Sequence, residues 1–70
     1  MKKEEFRQAL REKLSRVSLQ ERKTWSDTNL FMWWLTAKAG DSYLTWERCS
    51  GDVWQHVPGM CSDLIGQNAN

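Results

Sequence analysis

The sequence predicts an all-α protein, a compact bundle of about four short helices with no sheet. Three observations predict it. Apolar residues recur at helical spacing through most of the chain. Clusters of cap-forming residues at 18, 26–28 and 50–52 divide that pattern into short segments. Five tryptophans, Trp25, Trp33, Trp34, Trp46 and Trp54, supply apolar area that 70 residues otherwise lack. Residues 1–66 are expected to form one helical domain. Residues 67–70 carry no periodic apolar position and are expected to form a flexible C-terminal tail.

The first helix is predicted from Lys3 to Val17. Phe6, Leu10, Leu14 and Val17 form one narrow stripe, and Glu12 precedes Arg16 at the favourable i,i+4 spacing. Ser18-Leu19-Gln20-Glu21 matches a capping box, so a second short helical turn is expected from Leu19 to about Trp25.

Ser26-Asp27-Thr28 offers the next cap, and a third helix is predicted from Thr28 to Ala39, with Gly40 as a left-handed C-cap residue. Leu30, Phe31, Trp33, Trp34, Leu35 and Ala37 spread over an arc of about 200°, wider than the ~100° stripe of a surface helix. Such a helix is either central or carries an exposed apolar edge. Trp34 is expected in the core with Leu30 and Phe31, and Met32 on the far side with Thr36.

Asp41-Ser42 reads as a turn, and Tyr43 to Arg48 as a short helical or irregular segment. Ser50-Gly51-Asp52 then caps a last helix whose stripe is Val53, Val57, Met60, Cys61 and Leu64. Pro58 interrupts that pattern, which predicts a kink or two abutting short helices. Gly66 is expected to end the element.

Charge is divided along the chain. Residues 1–23 hold eight basic and four acidic side chains, and the remainder holds two basic and five acidic, for a net +1. This predicts a basic helix docked on an acidic body. No apolar run is long enough to cross a membrane, and the charged N-terminus does not read as a signal peptide, so the expected compartment is the cytoplasm. There Cys49 and Cys61 are expected as free thiols.

Cys49, His56 and Cys61 are the soft metal ligands, but their C-x6-H-x4-C spacing lacks the close pair of a structural zinc site. Cys61 and His56 diverge around a helix, while the Ser50-Gly51 break leaves the geometry of Cys49 and His56 open; a dyad would also need a cleft and an oxyanion site that so short a chain rarely makes. No catalytic, cofactor or metal residue is assigned, and no small-molecule substrate is expected. The chain reads as a non-enzyme. A helix-turn-helix reading through Ala39-Gly40-Asp41 places Tyr43, Trp46, Glu47 and Arg48, with two acids nearby, where polar base-reading side chains belong, and phosphate would repel that face, which argues against it.

The expected function is a small protein–protein interaction module. It fits an inhibitor or regulator of a larger assembly, of the kind phages and mobile elements encode, and self-association is expected as an alternative mode. Met32, Trp33 and Trp46 are the candidate apolar anchors, and Arg7, Arg11 and Arg48 the candidate charged rim. The alternative partner is nucleic acid contacted by the basic first helix, a signal diluted by Glu4, Glu5 and Glu12.

Overall fold

Four helices follow in order: α1 (Lys3–Ser15), α2 (Leu19–Arg22), α3 (Asp27–Gly40) and α4 (Val57–Cys61). The computed structural model describes residues 1–47, 49 and 51–69. Among these there is no strand, and the architecture is an all-α small bundle. The radius of gyration is 11.5 Å, against about 11 Å expected for a compact chain of this length.

Helix α1 buries Phe6, Leu10 and Leu14 completely, while Val17 follows just beyond its end and packs on the core edge. The Ser18 hydroxyl accepts the Glu21 amide at 3.2 Å, so the chain breaks where the capping box places the break. Helix α2 is then a single turn. A reciprocal cap starts α3. Asn29 Oδ1 accepts the Ser26 amide at 2.9 Å, the role Glu or Gln plays in a capping box.

Helix α3 buries Leu30, Trp34 and Ala37, an i, i+4, i+7 line against the core. Phe31, expected beside them, lies on the flank and is 37% exposed. The core line is centred on Leu30 and Trp34, and Phe31 falls about 100° away from Leu30. Leu35 is exposed to the same extent.

The end of α3 differs from expectation. Gly40 is the last helical residue and its φ is not positive; the left-handed glycines are Gly51 and Gly66. Asp41 stops the helix instead, by turning extended and accepting the Tyr43 amide on its side chain at 3.0 Å. A Cβ added at Gly40 meets nothing within 4 Å. Gly40→Ala is therefore expected to stabilise the protein, by up to about 1 kcal/mol, through helix propensity. A urea melt checks the sign, and a loss of stability would restore the left-handed assignment.

Leu44 is buried in the irregular stretch that follows, and the Glu47 amide donates to the Met1 carbonyl at 3.0 Å. Gly51 turns at φ 79°, and the Asp52 side chain then accepts the Trp54 amide at 3.0 Å. The last helical stretch is two abutting pieces, a 3-10 turn at Val53–His56 and α4. Pro58 sits in the first turn of α4, where its missing N–H is an orphan in any case. A further 3-10 turn, Ser62–Leu64, extends it. Val57, Met60, Cys61 and Leu64 face the core as their spacing predicts.

The chain end departs from the expected tail. Ile65 is buried, Gly66–Asn68 winds into a 3-10 turn and Ala69 is also buried. The small and polar residues of 67–69 conceal this packing in the sequence, since Ala69 is the one buried apolar residue among them.

Two ion pairs dock basic α1 on the acidic remainder. Arg11 grips Asp63 at 2.6 and 2.8 Å, and Lys13 lies 3.7 Å from Asp41.

Candidate interaction surface

Helix α3 is apolar nearly all round, and only one side of it is covered. Trp34 is 4% exposed and meets the Phe6 ring edge-on, with centroids 5.9 Å apart. On the opposite side Met32 is 61% exposed. Between Met32 and the turn that carries α2 runs a groove of about 440 Å³. Its apolar walls are Val17, Trp25, Met32 and Trp33, and Glu21, Asn29 and Thr36 form its polar rim. Trp25 and Trp33 are both half-buried. Each ring packs part of its surface on the core and leaves the rest to the groove.

The other flank of α3 carries Phe31. Its ring meets Trp54 edge-on with centroids 4.9 Å apart. Asp27, Thr28 and Asp52 complete a second cleft there.

Of the six residues singled out in the sequence, the five that are described do not converge. Met32 and Trp33 line one groove. Trp46 belongs to the core rim, because it stacks on Phe6 at 5.8 Å and abuts His56 at 4.9 Å. Arg11 is committed to Asp63 and also donates to the Met60 carbonyl at 2.8 Å, so it ties α1 to α4. Arg7 pairs with Glu4 on its own helix at 3.7 Å. Arg48 lies outside the described residues, as do Ser50 of the predicted cap and Asn70.

Sequence reasoning missed Trp25 and Val17 as groove walls. Their signal was present: both flank the short α2 turn, and a break so short brings its two ends together. Arg22 was missed altogether. It is 5% exposed, and its guanidinium donates to the Val17 carbonyl at 2.9 Å and the Leu64 carbonyl at 3.1 Å.

The Arg11 guanidinium hydrogen-bonded to it holds the Asp63 carboxyl below its usual range. A folded-state value below the unfolded one stabilises above the ordinary carboxylate range and is lost as pH falls through the depressed value. Asp63 is half in water, so the pair contributes no more than about 1 kcal/mol. Asp63→Asn should thus cost up to about that much at pH 7 and nothing at a pH low enough to protonate Asp63. Paired melts at the two pH values check this, and a deficit that persists in acid would assign the cost to packing.

Cys61 is buried completely, and that burial pushes its thiol up to about 11. A neutral thiol in apolar packing is a poor nucleophile and a poor metal ligand. Native protein should therefore leave Cys61 unmodified by a thiol reagent, and denatured protein should expose two thiols. Rapid native labelling of Cys61 would contradict its burial. Among the described residues, no three His, Cys, Asp or Glu side chains gather to hold a metal.

A cleft of about 540 Å³ lies beside Trp34, Lys38, Leu44, Trp46 and Val53. Its carboxylates, Asp41 and Asp52, already accept the backbone amides of Tyr43 and Trp54. Among the described residues, no His or Cys lines it. No described helix is long and apolar enough to cross a membrane.

No family model matches the chain, and no curated protein or solved structure matches it either.

Proposed function

We propose that the protein is a small non-enzymatic interaction module whose docking site is the groove walled by Trp25, Met32 and Trp33. One observation carries this reading. The most apolar helix buries a single face and leaves a 61%-exposed methionine beside two half-covered tryptophans. Tryptophan is enriched at interface hot spots, and methionine adapts to irregular surfaces. The occupant with the matching chemistry is a protein segment with an apolar anchor and a basic residue set to meet Glu21 on the rim. The module would act as an inhibitor or regulator of the assembly that carries that segment.

Nucleic acid bound along α1 is the weaker reading. Arg7, Arg11, Lys13 and Arg16 each pair with a carboxylate, which leaves little of the helix's charge for phosphate.

The test is comparative capture from a native lysate with wild type, Met32→Lys and Thr36→Arg. Both substituted residues are exposed, so folding is retained. The reading requires a protein that wild type retains and both variants lose. Equal capture by all three, or binding only to nucleic acid with a steep salt dependence, overturns it.

A further inference from the structure

The flank of α3 that adjoins the groove, with Met32 on the border between them, poses a separate question, and its charge pattern answers it. At 100° per residue, Thr28, Phe31, Met32, Leu35 and Ala39 fall within an arc of about 100°. All five are exposed, although three are large and apolar. Asp27 and Lys38 lie together along one edge of that arc, within about 40° of Phe31. Asp27 is the first residue of the helix, and Lys38 is in its last turn.

This arrangement is self-complementary in one orientation. When two such helices pack antiparallel about a two-fold axis, residues on one flank face the same flank of the partner. The axis lies midway between Asp27 and Lys38, at the level of residues 32 and 33 along the helix. Eleven residues at 1.5 Å each place the two charges about 8 Å on either side of it. Asp27 of each copy then meets Lys38 of the other, so two ion pairs bracket the apolar stripe. Antiparallel packing also sets each helix's positive end beside the other's negative end. A parallel arrangement would oppose Asp27 to Asp27 and Lys38 to Lys38.

From this pattern we infer that the Phe31–Leu35 flank of α3 is the site of a reversible homodimer, the two α3 helices packed antiparallel with Asp27 paired to Lys38 across the axis. The occupant is a second copy of this chain, because a single surface supplies both halves of the charge match. That is the signature of an isologous interface. Asp52 beside Asp27 in the Phe31–Trp54 cleft adds to the negative end that receives the incoming lysine. A helix of 14 residues is about 21 Å long. Its face alone falls short of the ~1,200 Å² of a standard stable interface, so the dimer is weak and concentration-dependent. This inference goes beyond the groove reading: it uses the adjoining flank, centred on Phe31 and Leu35, and shares only Met32 with the groove.

Sedimentation equilibrium of the full chain, from low micromolar to near-millimolar concentration, tests it. Wild type should pass from monomer to dimer. Asp27→Lys places two like pairs across the axis, and Lys38→Asp does the same with opposite sign. Each variant alone should dimerise about tenfold more weakly, or worse. Mixed in equal amounts, they should form a heterodimer at near wild-type strength, since every cross-axis pair is again opposite in charge. Circular dichroism confirms that both variants are folded. Should either fail to fold, an isotope-filtered experiment on half-labelled wild type takes its place, and contacts from Phe31 and Leu35 of one copy to the other are required. Wild type that stays monomeric throughout overturns the inference, even where the groove captures another protein. Variants that dimerise like wild type, or a mixture that does not recover, overturn it as well.

Discussion

Trp34→Ala is expected to remove about 3–5 kcal/mol, close to the whole stability of a domain this small. The indole is almost fully buried and fills the junction of α1 and α3 against Phe6. Phe6 in turn stacks on Trp46, so one truncation opens a void beside two other rings. Lys38 also loses the ring it lies over, at 5.9 Å. A denaturant melt should show the variant largely unfolded, or with a midpoint near zero denaturant. A loss below about 1 kcal/mol would mean that the site collapses freely and that Trp34 is not the centre of the core.

The second large effect is expected at Arg22. Its guanidinium joins the end of α1 to the C-terminal turns by bonding carbonyls five and forty-two residues away. Arg22→Met keeps most of the apolar stem but leaves those two acceptors without this donor. At about 1–3 kcal/mol for a buried group left unsatisfied, the Leu64 carbonyl carries most of the cost and the part-buried Val17 carbonyl less, so the loss should be about 2–4 kcal/mol. Arg22→Lys should recover only part of it, because a single ammonium does not reproduce the planar fork. Urea melts of both variants decide. An Arg22→Met protein as stable as wild type would show that the guanidinium is a passenger.

Arg22 also shows where the sequence stopped being informative. It lies in Gln20-Glu21-Arg22-Lys23, a run that reads as a solvated turn. Only the arrival of the Leu64 carbonyl buries it, and no local pattern encodes that. Arg11 is a similar case. Its place on the flank of α1 was legible, but the carboxylate that claims it lies 52 residues on. Local signals fared better because their physics is local. The Ser18 cap, the split around Pro58 and the stripes of α1 and α4 depend on residues a few positions apart.

Helix α3 falls between these cases. The width of its apolar arc was visible and left two outcomes, a central helix or an exposed apolar edge; Met32, Phe31 and Leu35 show the second. The direction of the core within that arc was not, since Phe31 and Leu35 are as apolar as Leu30 and Ala37. Gly40 was misread because glycine after an apolar helix usually marks a left-handed cap, whereas here the Asp41 side chain ends the helix one residue later. The groove was legible in half, through Met32 and Trp33. Its other wall needed the fold.

The account depends on α3 using one face for the core and leaving the rest free for partners. The stability of Met32→Lys, measured by guanidinium melt beside wild type, tests this most directly. Met32 is 61% exposed, so the variant should match wild type within about 0.5 kcal/mol and retain its helical spectrum. A loss of several kcal/mol, or an unfolded chain, would place Met32 in the core and contradict the free face on which both proposed surfaces depend.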